Sequence, residues 1–279
     1  MTAAEELSQE AKASGAGGSR KDRPHIVRLA VANGVATVSL DSPRNRNALS
    51  RQLVDELTQH MQWAATSDDV RVIVLTHTGN TFCAGADMAE AVEHGMERAT
   101  RALLALLRLV IELPKPVIAV VHGHVRAGGV GIIGACDLAV ASDESTFAFS
   151  ESLLGLAPAI ISLTTRTRLT DRDAARKYLT GATFDGAEAS RCGLITHSAP
   201  SAELTQLVSG LLAECNRVSP KACARPNGCS TRRWSNKSTD NGPELVALSA
   251  RLFASDEARE GMTAFRERRP PSWAISTHN

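Results

Sequence analysis

The sequence predicts an α/β protein that ends in a helical region. Strand and helix patterns alternate along most of the chain, Gly-rich turns separate several of them, and strand patterns nearly stop after Ala187. Of the 279 residues, 43% are hydrophobic but only 4% are aromatic, so the core must be built from Ala, Val, Leu and Ile. We expect a disordered tail at residues 1–23, an α/β core at residues 24–195 and the helical region at residues 196–279.

The first elements of the core are two strands, a helix and a third strand. Ile26–Leu40 shows two alternating apolar runs around an Asn-Gly pair, which favours a tight hairpin. Ser50–Ala64 has apolar residues on one helical face, with Ser50 as the predicted N-cap. Val70–Thr76 is rich in β-branched residues, as buried strands are, and Thr78–Asp87 is a loop of small residues.

The rest of the core repeats this alternation. A helix that Pro114 closes, a strand, a Gly-rich turn, a helix and two short strands follow in chain order. Their predicted bounds are Leu103–Leu113, Pro116–His122, Gly123–Gly131, Val130–Cys136, Leu138–Ser142 and Thr146–Phe149.

The region after the core has a helical pattern over Thr170–Leu179 and Glu203–Arg217. Residues 220–243 do not fit it, because this stretch is polar, contains several prolines and has no apolar period. We therefore predict an irregular segment at 220–243, which is either a genuine loop or a local anomaly of the sequence.

Composition and charge exclude several classes of protein. The chain has 31 Lys and Arg against 30 Asp and Glu, whereas proteins that bind many phosphates usually carry a clear basic excess. No apolar run reaches the roughly 18 residues of a membrane span, and residues 1–23 lack the apolar segment of a secretory signal. The six cysteines have no metal-binding spacing. We expect a cytoplasmic protein with no metal, nucleic-acid or membrane partner.

Two loops of small residues and one glutamate are candidates for chemistry. Cys83–Asp87 and Arg126–Gly131 both lead into helices, where free backbone N–H groups could converge on one oxygen as an oxyanion hole. Tight packing is the alternative explanation for such glycines. Glu151 lies between apolar runs, so burial could raise its pKa into the range of acid–base catalysis, although without other evidence an N-cap or a salt bridge is the favoured explanation.

These pieces together resemble the crotonase family, also called the enoyl-CoA hydratase/isomerase family. Five stretches in a characteristic order carry the resemblance. They are Asn47–Ser50, Phe82–Asp87, Lys115–Ala119 leading into Gly128-Gly129, Cys136-Asp137 with Phe147, Glu151 and Leu154-Gly155, and Phe253–Phe265.

The resemblance implies a fold, an assembly and a ligand. The fold would be a crotonase-type spiral of ββα repeats, with a helical C-terminal oligomerisation region that forms homotrimers or dimers of trimers. The ligand would be an acyl-CoA thioester whose oxygen binds the backbone N–H groups of Ala86 and Gly128, with no separate cofactor. Residues expected to bind the CoA moiety are Arg46, Ala48, Ala84, Asp87, Met88 and Ala89.

The resemblance also exposes a departure at one catalytic position. Family hydratases use two glutamates; the second aligns with Glu151, but the first aligns with Gly131. Three functions stay open: hydration of an enoyl-CoA by Glu151 alone, as in a branch that is similar to bacterial methylglutaconyl-CoA hydratases, Δ3-Δ2 isomerisation, or acyl-CoA binding without catalysis.

Arginines near the two loops bear on the ligand. Arg126 could face the acyl pocket and select a substrate with a second carboxylate, or could point outward at a subunit interface. Because the net charge is only +1, a few individual Lys or Arg side chains must bind the phosphates of CoA. Arg44, Arg46 and Arg51 are candidates.

Overall fold

The computed structural model describes residues 24–217 and 231–274, so the predicted tail at 1–23 lies outside the described residues. The predicted α/β class is confirmed, since strands and helices alternate from Val27 to Ala199. The strands are β1 (Val27–Ala32), β2 (Val35–Leu40), β3 (Val72–His77), β4 (Thr81–Cys83), β5 (Val117–Val121), β6 (His124–Arg126), β7 (Leu138–Ser142), β8 (Thr146–Ala148), β9 (Phe184–Asp185) and β10 (His197–Ala199). The helices are α1 (Arg51–Thr66), α2 (Met88–His94), α3 (Met96–Glu112), α4 (Gly128–Ala135), α5 (Ala159–Thr165), α6 (Asp171–Thr180), α7 (Gly186–Arg191), α8 (Leu204–Arg217), α9 (Thr231–Phe253) and α10 (Asp256–Glu267).

The larger sheet has the strand order β1-β2-β3-β5-β7-β10. The predicted hairpin forms its edge, where β1 and β2 are antiparallel, and the remaining neighbours are parallel. The central strand β3 is buried on both faces, which is why its sequence is a continuous apolar run rather than an alternating one. The predicted cap of α1 is also confirmed, because the Ser50 hydroxyl oxygen accepts from the Leu53 N–H at 3.3 Å.

The smaller sheet has the strand order β4-β6-β8-β9 and is parallel except for its last pair. Each of its first three strands directly follows a strand of the larger sheet and precedes a helix: β3 leads to β4, β5 to β6 and β7 to β8. This recurrence is the predicted spiral of ββα repeats. Among the described residues, no helix combines the length and apolar character that crossing a membrane requires.

Two predicted loops contain strands that the sequence analysis missed. Thr78–Asp87 includes β4, and Gly123–Gly131 includes β6 and the first turn of α4. Strands of three residues are too short to show a period, and pairing with their neighbours in the smaller sheet creates them. The strand β10 pairs with β7, so the larger sheet continues past residue 195, where we had placed the end of the core.

The prediction of an irregular segment over 220–243 is wrong from Thr231 onward. Helix α9 begins at Thr231 and contains Pro243, and its contacts with α3 and α5 hold it in place. A Cβ at Gly242 would lie 3.1 Å from the Leu104 side chain, and Val246 is buried in the core. Tertiary packing therefore overrides a local sequence without helical period. The preceding residues 218–230 lie outside the described residues.

Candidate active site

The candidate site lies at the carboxyl end of the smaller sheet. The parallel strands β4, β6 and β8 are neighbours, and their carboxyl ends lie at one edge of the sheet. The chain after β4 forms the Ala84–Asp87 loop, the chain after β6 reaches Gly128, and the chain after β8 reaches Glu151. The topology thus brings the three sequence-predicted elements to the same edge.

The Ala84–Asp87 loop lies directly against the start of α4. Gly85 has a φ of +95°, and a Cβ placed there would lie 3.0 Å from the Ala127 Cβ and 3.9 Å from the Gly128 nitrogen. A side chain at this position would therefore be strained and would push the two loops apart. The Ala86 peptide is the next one along the chain, and an oxyanion hole formed by the N–H groups of Ala86 and Gly128 stays a prediction.

The residue before Gly128 has a strained backbone. Ala127 precedes the first residue of α4 with a φ of 46° and a ψ of −119°, a combination that side-chain-bearing residues rarely adopt. It is held there from both sides, because its N–H donates to the Ala148 carbonyl at 3.1 Å and its carbonyl accepts from the Val130 N–H at 2.8 Å. This conformation sets the direction of the peptide that carries the Gly128 N–H. Because Gly128 lies in the first turn of α4, its N–H has no hydrogen-bond partner within the helix.

Asn47 fixes the loop that faces Ala86. Its side chain is fully buried, accepts from the Ser42 N–H at 2.7 Å, and donates to the carbonyls of Thr78 and Thr81 at 3.2 and 2.7 Å. Two residues on, Leu49 pairs with Ala86 in a parallel bridge and donates to the Gly85 carbonyl at 2.8 Å. One buried amide therefore ties this loop to the strand that leads into the candidate oxyanion hole.

The residues expected to bind CoA lie on this pair of loops. The Arg46 carbonyl accepts from the Ala84 N–H at 3.1 Å, so the two segments run side by side, with Ala48 buried and the Arg46 side chain exposed. Asp87 caps α2, since its carboxylate accepts from the N–H groups of Ala89 and Glu90. Arg44 and Arg51 are exposed, and Met88 is half-buried in the first turn of α2.

Glu151 lies in the short 3₁₀ helix Ser150–Leu154, and its side chain is half-buried. Its Oε2 is buried and has no hydrogen-bond partner among the described residues. Burial raises the pKa of Glu151 to about 7, because the charged form loses solvation that the hydrogen bond from its own backbone only partly replaces. The salt-bridge and N-cap alternatives therefore do not describe this side chain. A carboxyl group that titrates near neutral pH can both take and give a proton.

Gly131 cannot be replaced by a glutamate without displacing α5. A Cβ at Gly131 would lie 2.5 Å from the Ile161 Cγ2 and 2.9 Å from its Cβ. The Thr164 hydroxyl on the same helix donates to the Gly131 carbonyl at 2.9 Å, which fixes the contact. Hydrocarbon therefore fills the place that the first family glutamate would need.

The guanidinium of Arg126 is held by β8. It donates to the carbonyls of Val125 and Thr146 at 2.9 and 2.8 Å, and to the Thr146 hydroxyl at 2.9 Å. Thr146 begins β8, whereas Glu151 follows its end, so the charge is directed away from the edge that carries Glu151. The hypothesis that Arg126 faces the acyl pocket is therefore not supported.

Sequence reasoning missed several residues that shape the site. The roles of Ala127 and Ile161 depend on a backbone torsion and on an interhelical contact, which no local pattern reveals. Asn47 belonged to a quoted motif, but its neighbours Arg46 and Ala48 give no local sign that its amide is buried. In the described ranges, no three or more His, Cys, Asp or Glu side chains are grouped to hold a metal ion.

Comparisons with known proteins agree with this arrangement. The family model described as "Enoyl-CoA hydratase/isomerase" matches residues 30–275. A candidate enoyl-CoA hydratase of Thermus thermophilus is 32% identical over 85% of this chain and 96% of its own length. A mevalonyl-coenzyme A hydratase of Aspergillus fumigatus is 28% identical over 91% of this chain and 93% of its own.

Solved structures are similar over nearly the whole length. The crystal structure of an enoyl-CoA hydratase from Mycobacterium avium superposes with a TM-score of 0.84 at 45% identity, covering 90% of this chain and 100% of that one. The order of the motifs, the two sheets and the match to the family model lead to one conclusion: the chain belongs to the enoyl-CoA hydratase/isomerase family.

Proposed function

We propose that this protein adds water to the double bond of an α,β-unsaturated acyl-CoA thioester, with Glu151 as the only carboxyl group in acid–base catalysis. The observation that carries the proposal is the position of Glu151, which has a buried Oε2 and a pKa of about 7, and follows β8 at the edge that also carries Ala86 and Gly128. A hydratase needs a proton acceptor and donor beside the oxygen that becomes negative.

The reaction is a balanced addition of water. The N–H groups of Ala86 and Gly128 donate to the thioester oxygen, which lowers the energy of the enolate that develops. The ionised Glu151 accepts a proton from water while the water oxygen forms a bond to C3 and the C2–C3 π electrons move toward the thioester. Glu151 then returns that proton to C2. One carboxyl group therefore serves both steps, and Gly131 takes no acid–base part.

Isomerisation is a second candidate, and one observation favours it. Ile161 fills the space beside Gly131 with hydrocarbon, so position 131 offers no carboxylate that could activate water. In an isomerase, Glu151 would carry a proton between C4 and C2 without any water entering the product. Because the first family glutamate is replaced by Gly131, a third possibility is a protein that binds acyl-CoA without catalysis.

One experiment separates the three functions. Loss of the enoyl thioester absorbance and formation of 3-hydroxyacyl-CoA are measured for wild type, Glu151→Gln and the control Glu144→Gln, an exposed glutamate that accepts from Ser201 at 2.7 Å. We expect Glu151→Gln to lower kcat by about 10²–10⁴-fold and the control to keep wild-type rates. Hydration that survives Glu151→Gln contradicts the mechanism, bond migration without the hydroxy product selects the isomerase, and tight binding without turnover selects the binder.

Three finer expectations remain predictions. The methylglutaconyl group as substrate and the cytoplasmic location rest on the sequence analysis alone. Assembly into trimers or dimers of trimers is supported by exposed large apolar side chains on neighbouring elements, among them Leu153, Leu179 and Phe265. Light scattering on the purified protein measures the assembly directly.

A further inference from the structure

Leu103, on α3, lies directly against Gly128, the residue that carries one of the two candidate oxyanion donors. A Cβ built at Gly128 would lie 3.3 Å from the Leu103 Cδ2 and 4.0 Å from its Cδ1. The Leu49 Cδ1 would lie 2.7 Å from the same point. Leu49 belongs to the loop that faces Ala86 and pairs with Ala86 in a parallel bridge. Two leucines from distant segments therefore meet beside the candidate oxyanion hole.

The face of α3 that bears Leu103 is less covered at this residue than at its neighbours on the same face. Residues three, four and seven apart share one face of a helix, and Thr100, Leu107 and Val110, which share the face of Leu103, are all buried. Leu103 itself is only half-buried. The helix is therefore packed into the core before and after Leu103, and it keeps exposed surface at the point where it passes Gly128.

The neighbouring position on α4 is closed by a different side chain. Gly128 and Gly131 lie three residues apart, so a Cβ at either residue would project from the same side of α4. Ile161 fills the space beside Gly131 and is buried. Helices α3 and α5, which carry Leu103 and Ile161, are also in contact with one another. Hydrocarbon from two helices therefore covers this side of α4, and of these two side chains Leu103 is the one that has exposed surface.

The proposed function brings the acyl chain to this place. When the thioester oxygen binds the N–H groups of Ala86 and Gly128, C2 and C3 lie one and two bonds from the thioester carbon, so the chain starts beside Gly128. Glu151 has to approach C2 and C3, which leaves the atoms beyond C3 to contact the remaining surface around Gly128. The exposed part of Leu103 is apolar and suits methylene groups. Discrimination between acyl chains that differ in methylene groups depends on such apolar contacts.

We propose that Leu103 is a specificity-determining residue, whose side chain contacts the acyl chain beyond C3 and limits the length of the chain that the site accepts. The proposal deepens the proposed function and rests on it, because the position of the acyl chain follows from the two oxyanion donors. The substrate class that fits is a CoA thioester with a short acyl chain. A longer chain has to displace the Leu103 side chain, and α3 cannot withdraw easily because it is packed between α1 and α9.

Leu104 supplies a matched control on the same helix. It is also half-buried, but it packs against α9, since a Cβ at Gly242 would lie 3.1 Å from the Leu104 Cδ2. Successive residues point about 100° apart around a helix, so the two leucines reach different neighbours. Leu103→Ala and Leu104→Ala therefore remove the same atoms from the same helix, and only Leu103→Ala removes them from beside Gly128.

The experiment compares two chain lengths in one preparation of the full-length protein. Crotonyl-CoA and trans-2-octenoyl-CoA compete in one reaction, so the ratio of their kcat/KM values does not depend on how much of the protein is folded. We expect Leu103→Ala to raise the ratio of octenoyl to crotonyl turnover by about tenfold or more and Leu103→Phe to lower it. Leu104→Ala should keep the wild-type ratio. Leu103→Val removes one methylene group, should raise the ratio by a smaller factor, and serves as the test where Leu103→Ala does not fold.

The outcomes keep this proposal distinct from the proposed function. A ratio that the Leu103 variants leave unchanged, or that Leu104→Ala shifts equally, overturns the role of Leu103 while the wild-type hydration still supports the proposed function. Titration calorimetry with butyryl-CoA and octanoyl-CoA gives the corresponding ratio of Kd values without any turnover. If wild type binds these saturated esters but hydrates neither enoyl ester, the proposed function fails, and the shift of the Kd ratio in Leu103→Ala still decides the role of Leu103. A protein that binds no acyl-CoA overturns both proposals.

Discussion

Ile161 fills the space into which a side chain at position 131 would project, since a Cβ at Gly131 would lie 2.5 Å from the Ile161 Cγ2. Helix α5 approaches α4 closely at this point, and the Thr164 hydroxyl locks the approach by donating to the Gly131 carbonyl. The packing of α5 against α4 therefore requires glycine at position 131. The same glycine removes the carboxylate that family hydratases have at this position.

Restoring the glutamate should destabilise the protein rather than activate it. We expect Gly131→Glu to lower the free energy of unfolding by about 1–3 kcal/mol, because the new side chain overpacks the contact with Ile161. In a double-mutant cycle with Ile161→Ala, the combined loss should be smaller than the sum of the single losses by about 1 kcal/mol. Denaturant unfolding measures each variant. Gly210→Glu, at a helix position with no atom within 4 Å of its Cβ, is the control that should cost little.

The raised pKa of Glu151 should make stability depend on pH. The folded protein holds this proton up to a pKa of about 7 and the unfolded chain only to about 4.5, so its contribution to stability is present at low pH and is lost as the pH rises through 7. The full change is about 3 kcal/mol, at about 1.4 kcal/mol for each pKa unit. We therefore expect Glu151→Gln to gain stability relative to wild type between pH 5 and pH 8. Equal pH dependence of the two proteins in denaturant unfolding would contradict the raised pKa.

Loss of the Asn47 amide should loosen the loop that faces Ala86. Asn47→Ala leaves the Ser42 N–H and the carbonyls of Thr78 and Thr81 without a buried partner, which should cost about 2–4 kcal/mol. KM for the acyl-CoA should rise, because this loop carries residues expected to bind CoA. Asn47→Gly separates the effect of the lost hydrogen bonds from that of the backbone torsion. Glycine suits the φ of 52° but lacks the amide, so we expect nearly the same loss of stability as in Asn47→Ala. A fully stable Asn47→Gly would show that the torsion, and not the hydrogen bonds, is what matters.

A methyl group at Gly85 should separate the two candidate oxyanion donors. Gly85→Ala adds a Cβ 3.0 Å from the Ala127 Cβ, at a φ of +95°, and should move Ala86 away from Gly128. We expect kcat to fall by about 10²-fold, the usual effect of losing one oxyanion donor. Gly34→Ala introduces similar backbone strain in the distant hairpin, at a φ of +78°, and should keep wild-type kcat. Steady-state kinetics of both variants decides whether the effect is local.

Arg126 should not determine the choice of acyl group. Because its guanidinium is bound to Thr146 and to backbone carbonyls, Arg126→Ala should lower stability and leave the ratio of kcat/KM for crotonyl-CoA and methylglutaconyl-CoA unchanged. A ratio that shifts toward crotonyl-CoA would restore the hypothesis that this arginine reads a second carboxylate. Competition between the two substrates in one reaction gives the ratio directly.

The elements that the sequence predicted well are those with a local signal. The hairpin β1–β2 is set by an Asn-Gly turn, and α1 by an amphipathic face and the Ser50 cap. The strands β4 and β6 and the first half of α9 lack such a signal, so they were missed. The two strands find backbone partners in neighbouring strands, and helix α9 as a whole finds contacts with α3 and α5, only once the chain has folded.

The sequence by itself determined the α/β class through periodicity and turn chemistry. The order of its motifs determined the family, and the resemblance to that family implied the candidate residues Ala86, Gly128 and Glu151. The tertiary structure decided what the residues do together. It brought the carboxyl ends of three strands to one edge, buried the Oε2 of Glu151 so that its pKa rises, and filled the space at Gly131 with Ile161. The physical reason is that burial and close contact between distant segments are properties of the packed chain, which no local pattern encodes.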